Sequence, residues 1–378
     1  MLEIESEVIW RYIRNAAWRT VSIARSDASL YLFIGIYTAT GLGFLAWVGA
    51  LHRTAYQTYV PIWLMVFGFV LPAVSLLLET GWLLHRFERR RKFAAGKMFS
   101  AERMAVLFSG ICLLMGIMIF QSTFTSVKNG MSVLWKGFPY DRALADIDAY
   151  LHFGTDPWRW LYVIGKHDWV RESVGWNYDM LWFIICYSML FFMVTSPRTT
   201  HLKRRYVLSF MVVWVVVANI LAGLFMSAGP AFYGYVTGDV PRFGEQLSFL
   251  AQSPSASSAA VYQQYLWTLQ TEGVTGLASG ISAFPSVHVA LITLNAVYTW
   301  EYDQRLGAIA FLYVAFIVAS SVYLGWHYAI DGYAAVALTI ALCAAVRKLV
   351  PDGEILMPGP ARQSAAGGSR PESAVTVS

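Results

Sequence analysis

Eight apolar runs, each approaching the roughly 20 residues that a helix needs to cross a hydrocarbon core of about 30 Å, dominate the sequence. They cover approximately residues 29–51, 60–84, 103–125, 179–196, 207–228, 285–300, 307–325 and 328–347. The sixth is short, so its neighbours must help cover its ends. A chain that repeats such runs is expected to fold as an all-α integral membrane protein of about eight transmembrane helices, because only helices satisfy their own backbone polar groups in lipid when no barrel pattern is present. Composition agrees: 57% of the 378 residues are hydrophobic and only 13% charged, about half the charged share of a soluble domain. The 16% aromatic content argues against disorder. The net charge of +5 comes from basic residues clustered beside apolar runs, where lipid headgroups explain them and nucleic acid is not needed. Cys112, Cys186 and Cys343 each sit within an apolar run and lack zinc-site spacing, so they read as packed thiols and no metal is expected.

Orientation follows from Lys and Arg, which stay on the cytoplasmic side of short loops. Arg11, Arg14, Arg19 and Arg25 precede the first run; Arg86, Arg89, Arg90, Arg91, Lys92 and Lys97 follow the second; Arg198, Lys203, Arg204 and Arg205 follow the fourth. Arg305, Arg347 and Lys348 fall on the same side. The reading is a multi-pass protein of the cell membrane with both termini cytoplasmic and its long connections, 126–178 and 229–284, outside. Residues 1–28 read as a cytoplasmic amphipathic helix with Ile9, Trp10 and Ile13 on one face. The first run is too long for a signal-peptide core, so no cleavage is expected. Residues 29–102 supply two spans and a basic loop, 103–350 a membrane domain, and 351–378 a disordered tail, its Pro358–Ser378 stretch rich in Pro, Gly, Ala and Ser. Glu79, near the end of the second run, is expected to snorkel to the interface.

Ionisable groups at the membrane point to function, since an Asp at a helix centre costs about 2.5–3.5 kcal/mol. Phe284-Pro285-Ser286-Val287-His288 opens the sixth run, and His327-Tyr328-Ala329-Ile330-Asp331 opens the eighth. The topology brings both to the outer face. Asp331 lies four residues after His327, on the same helical face. A carboxylate accepting from one ring nitrogen fixes the tautomer and leaves the other nitrogen's lone pair available for attack. Ser286 can cap a helix start whose N–H groups attract phosphate, and His288 in that turn can protonate a departing oxygen. Taken singly, His288 reads as an interfacial anchor and His327–Asp331 as a satisfied polar pair. Together, with matching spacing and sidedness, they read as phosphoryl-transfer chemistry.

These residues resemble the type 2 phosphatidic acid phosphatase superfamily, which carries a Pro-Ser-Gly-His motif and a later Ser-Arg-x5-His-x3-Asp motif. Pro285-Ser286-Val287-His288 is similar to the first; Ser320-Ser321, five residues, His327, three residues and Asp331 are similar to the second. The wording Phe-Pro-Ser-Val-His-Val-Ala and Tyr-Leu-Gly-Trp-His-Tyr-Ala-Ile-Asp-Gly is closer to the inositol-phosphorylceramide synthase and sphingomyelin synthase branch. The resemblance covers about 103–347, a six-helix core preceded by two extra spans. It implies that His327 takes the phosphoryl group as a phosphohistidine, Asp331 orients it and His288 serves the leaving group, with no cofactor. Ser321 stands where the pattern has Arg, and the Lys-x6-Arg-Pro motif is absent. Candidates for the missing phosphate cation are Lys128, Lys136, Arg142 and Arg242. Tyr233, in the Gly229-Pro230-Ala231-Phe232-Tyr233 turn that also resembles the branch, can donate to a substrate oxygen; Ser286 and Ser321 complete the binding candidates.

The function these readings imply is a membrane phosphatase or phosphotransferase acting on a lipid phosphate, with water or an alcohol such as inositol or a sphingoid or isoprenoid lipid as acceptor. Membrane lipids are the expected surroundings; the oligomer is not legible. A transporter or flippase would need midplane charges and repeated halves, neither of which the sequence contains. A non-catalytic scaffold of the same fold is the other alternative, kept open by the missing Arg.

Overall fold

The computed structural model describes residues 2–86, 96–135 and 137–350, and every regular element among them is helical. Thirteen helical segments organise it: α1 (Leu2–Ser26), α2 (Ala28–Trp47), α3 (Leu51–Arg86), α4 (Ala101–Leu134), α5 (Asp141–Leu151), α6 (Trp158–Gly165), α7 (Asp168–Thr195), α8 (Pro197–Leu224), α9 (Pro241–Leu250), α10 (Ala259–Glu272), α11 (Val287–Tyr302), α12 (Gln304–Tyr323) and α13 (Ala329–Leu349). Seven of them, α2, α3, α4, α7, α8, α12 and α13, are long and apolar enough to cross a membrane. The eighth expected span is α11, only 16 residues long. The protein is an all-α integral membrane protein.

The short α11 is the centre of the bundle. A helix apolar all round belongs in an interior, and Val289 to Ala296 are buried without a break. Helices α7, α8, α12 and α13 pack around it. Gly307 lets α12 approach closely, because a Cβ there would lie 2.5 Å from Trp300 Cα. The turn between them is fixed by Asp303, whose carboxylate accepts from Arg305 N and Leu306 N as a helix cap. The two leading spans, α2 and α3, pack on α4. Three helices, α3, α7 and α8, contain a π-turn, at Val66–Val70, Asn177–Leu181 and Val216–Leu221.

Several expectations need revision. Helix α4 runs nine residues past 125 and spans about 51 Å at 1.5 Å per residue. The sequence reading starts a loop at 126, but the helix continues, and Ser122, Thr123 and Ser126 return their hydroxyls to the carbonyls of Met118, Ile119 and Ser122, as Ser and Thr do inside buried helices. Lys128 is therefore on a helix and not in the loop. Helix α7 likewise begins at Asp168 rather than 179. Glu79 is also paired: its Oε1 accepts from Arg103 Nη2 at 2.8 Å, tying α3 to α4. Cys186 and Cys343 are buried, whereas Cys112 is on an exposed face. Helix α1 exposes Ile9, Trp10 and Ile13. Arg89, Arg90, Arg91, Lys92, Lys136 and the 351–378 tail lie outside the described residues.

Candidate active site

The site is built where two helices begin. Helix α13 opens at Ala329, and the Asp331 side chain turns back over its first residue: Oδ2 accepts from the Tyr328 backbone N–H at 3.0 Å and lies 3.3 Å from His327 Nδ1. Asp331 is fully buried and His327 is 8% exposed. With Asp331 as the acceptor, Nδ1 carries the proton and Nε2 keeps its lone pair. Burial, and then the Lys128 ammonium, pull the His327 imidazole down to about 3, against the Ala283 carbonyl, which favours the protonated ring. The ring is therefore neutral at physiological pH, the form an attacking nitrogen needs.

Helix α11 opens beside it. Ser286 is the N-cap, its Oγ accepting from Val289 N at 3.4 Å, and its own N–H donates to the Asp331 carbonyl at 3.2 Å. That bond joins the two helix starts. His288 follows in the first turn, its ring stacked on Tyr178 with centroids 4.6 Å apart and planes within 12°, and against Trp182 at 4.0 Å. Trp182 Nε1 donates to the His288 carbonyl at 3.0 Å. Tyr178 lies within the π-turn of α7 and Trp182, four residues on, directly follows it, a feature that recurs at functional sites. Lys128, reaching in from α4, acts electrostatically on both imidazoles, and the imidazoles act on each other. Thus His288, His327, Asp331, Ser286 and Lys128 come together.

Two carboxylates from α5 hold this arrangement. Asp141 Oδ1 and Oδ2 accept from Gly229 N and Ala228 N at 2.8 and 2.7 Å, and Oδ1 also accepts from Tyr328 Oη at 2.8 Å. Asp148 accepts from Ala329 N and Ile330 N, at 3.0 and 2.9 Å, capping α13 from outside. Burial raises the pKa of both, opposed by these same donors. Gly229, at φ +90°, has to be glycine: a Cβ would lie 2.6 Å from the Trp326 carbonyl oxygen and 3.0 Å from Ala283 Cβ. The turn it opens accepts Ala283 N on Ser227 O and Phe284 N on Ser227 Oγ, and sends Ala231 N to Gly325 O. The segments entering His288 and His327 are thereby stitched together.

Other sequence candidates lie elsewhere or do other things. Arg242 is engaged by Asp146 at 2.6 Å and Asp156 at 3.0 Å and stacks over Tyr233 and Phe243. Tyr233 is buried, with its hydroxyl accepting from Arg242. Arg142 donates to the Thr237 carbonyl. These three form a clamp between the long connections and are not brought to the imidazoles. Ser321 is fully buried; its Oγ donates to the Val318 carbonyl, and its own carbonyl accepts from Trp326 N and His327 N. It fixes the backbone before His327. The sequence reading missed Asp141, Asp148, Tyr178 and Trp182. A signal existed for the first pair, whose spacing of seven puts two carboxylates on one face of a helix.

The ordered polar groups are not all partnered. Ser279 Oγ, Ser282 Oγ and Trp326 Nε1 are buried donors without a hydrogen-bond partner among the described residues. They lie in the segments leading to His288 and His327, where an anion would satisfy them.

A membrane bundle whose joined helix starts carry a carboxylate-backed imidazole and a second imidazole, with an ammonium acting on both, is a class of protein equipped to handle a phosphate at the end of a bilayer-crossing core. The chain belongs to the PAP2 superfamily, whose model matches residues 142–345. That membership supports a phosphatase-type activity on lipid phosphates. No curated protein and no solved structure matches the chain.

Proposed function

We propose that the protein is a lipid phosphate phosphatase or phosphotransferase that works through a phosphohistidine on His327. The observation that carries this reading is the meeting of the two helix starts, with Ser286 N bonded to the Asp331 carbonyl and both imidazoles within electrostatic reach of Lys128. In the first half-reaction His327 Nε2 attacks phosphorus. A P–N bond forms, the P–O bond to the lipid breaks, and the departing oxygen takes a proton from His288, which the negative charge of the bound phosphate holds protonated. In the second, an incoming hydroxyl gives its proton to His288, its oxygen bonds to phosphorus, and the P–N electron pair returns to His327. Asp331 keeps the proton on Nδ1 throughout. Lys128 and the N-terminus of α11 offset the phosphate's charge, the work that the family's Arg, replaced here by Ser321, leaves undone.

The likeness of the Phe284–Ala290 and Tyr323–Gly332 wording to the inositol-phosphorylceramide and sphingomyelin synthase branch favours an alcohol as the acceptor. The substrate's phosphate is anchored on acyl or isoprenoid chains and arrives from within the bilayer, at the extracytoplasmic face. The test is purified protein offered phosphatidic acid, an isoprenyl diphosphate, and a phospholipid with ceramide or inositol, with free phosphate and lipid products followed. Turnover of at least one lipid is expected, falling to background in His327→Ala. Equal activity in parent and variant would remove the mechanism, and no turnover on any substrate would leave a scaffold.

A further inference from the structure

The two leading spans take no part in the phosphoryl transfer, yet the start of the second, α3, is bonded to the segment that enters the site. Residues 273–283 lead from α10 toward the start of α11 without forming helix. Three bonds hold this strap. Thr275 Oγ1 donates to the Arg53 carbonyl of α3 at 3.2 Å and accepts from Asn129 Nδ2 of α4 at 3.3 Å. The Ala278 N–H donates to Tyr59 Oη, on α3, at 2.7 Å. The start of α3 is itself clipped to α4, with Ala55 N donating to Ser126 Oγ at 2.8 Å and the Tyr56 and Thr123 hydroxyls 2.7 Å apart. Strap, α3 and α4 thus close a ring whose α4 side runs from Ser126 to Asn129, the stretch that carries Lys128.

The strap packs on that lysine. A Cβ built on Gly280 would lie 2.9 Å from Lys128 Cγ, 3.0 Å from Asn129 Oδ1 and 3.3 Å from the Lys128 carbonyl carbon, so bare backbone runs along the lysine stem. A lysine with open space around it spreads its ammonium over many rotamers, and a wall at Cγ removes those that swing the stem toward the strap. Three residues further on, the Ala283 N–H donates to Ser227 O at 2.8 Å and the Ala283 carbonyl acts on the His327 ring. One short segment therefore meets both the cation and the nucleophile. Its hold on α3 matters because Ala278 sits at φ +57°, a left-handed conformation that a residue with a Cβ keeps only where its surroundings impose it. The Tyr59 hydroxyl takes that residue's N–H, and the phenol is fixed in turn, buried with its ring stacked along Trp63.

We propose that Tyr59 is a positioning residue for the phosphate-binding cation: by accepting from Ala278 N it holds the strap against Lys128 and so aims the ammonium, which gives the second leading span a task at the site. This rests on the reading in which Lys128 offsets the phosphate's charge.

Tyr59→Phe removes the hydroxyl and leaves the ring on Trp63. On whichever of phosphatidic acid, isoprenyl diphosphate and phospholipid the parent turns over, its kcat/KM is expected to fall about tenfold, the weight of one lost hydrogen bond. In a Lys128→Met background the same substitution should change nothing further, because the group that the strap aims is gone. An equal loss in both backgrounds, or parent activity in Tyr59→Phe, would overturn the proposal. The hold of Tyr59 on the strap is also read without turnover. A nitroxide on Leu277→Cys, next to Ala278 on an exposed position, in a Cys112→Ser background because that thiol is exposed, should give narrower electron paramagnetic resonance lines in Tyr59→Phe than with Tyr59 in place. Unchanged lines would equally overturn it. If the lines narrow while Lys128→Met keeps the parent's turnover, or while the parent turns over none of the three lipids, it is the phosphate reading that fails.

Discussion

At the residue scale the weight falls on Lys128. The sequence offers four cations for the phosphate, and three of them have other occupations or lie outside the described residues: Arg242 is held by Asp146 and Asp156, Arg142 donates to the Thr237 carbonyl, and Lys136 is not described. Of the three that are described, Lys128 is the one that acts on both imidazoles. A fixed ammonium at a site where phosphate charge is handled is worth roughly 10²–10³ in rate, as with other preorganised donors. Lys128→Met is therefore expected to lower kcat/KM on a lipid phosphate by about that factor, and Lys128→Arg to recover part of it. A Lys128→Met enzyme within threefold of the parent would hand the role to backbone N–H groups. The reason Lys128 did not stand out in the sequence is physical. It lies just past residue 125, where the apolar run ends and the outer connection is expected to begin, and the hydroxyl-to-carbonyl bonds along α4 accompany a helix that continues through it.

At the scale of elements, the two helix starts were legible and their support was not. Pro285-Ser286 announces the start of α11, and the His327–Asp331 spacing announces two groups on one face, because both signals are local. What aligns those starts comes from a distance. Asp141 and Asp148 sit on an amphipathic helix in the first long connection, and their partners lie 87 and 88 residues away for Asp141 and 181 and 182 residues away for Asp148. No local pattern encodes such pairings. The π-turn in α7 is equally silent in sequence, although it sets Tyr178 and Trp182 against His288. Asp148 gives the sharpest test of this layer. The N-cap residue of α13 is Tyr328, which brings no cap of the Ser, Thr, Asp or Asn kind, and Asp148 supplies the acceptors from α5. Asp148→Ala leaves two buried N–H groups without partners, a cost of about 1–3 kcal/mol, and frees the helix turn that carries Asp331. Thermal unfolding in detergent should move to lower temperature and turnover should fall more than substrate affinity. Unchanged melting would mean that water replaces the carboxylate.

At the scale of the whole molecule, the basic residues that the sequence assigns to one side are physically tied together there. Lys203 pairs with Asp27 at 2.6 Å, joining the start of α8 to the start of α2. Arg205 and Arg347 both meet Glu301, at 3.4 and 3.5 Å, joining α8 and α13 to the end of α11. Arg103 donates to the Thr195 carbonyl, joining the start of α4 to the end of α7. These contacts gather one end of the bundle, and His288 and His327 lie at the other, since α11 runs from His288 to Glu301 and α13 from Asp331 to Arg347. Basic loops stay in the cytoplasm, so the tied end should face inward and the histidines outward. Two single cysteines decide it in intact cells: Leu277→Cys, on the exposed loop that leads to His288, should react with a membrane-impermeant maleimide, and Arg305→Cys, exposed in the first turn of α12, should react only after permeabilisation. The reversed pattern would turn the site toward the cytoplasm. The lipid phosphate would then have to come from the inner leaflet, and the polybasic end would be left on the side where short loops rarely carry such charge.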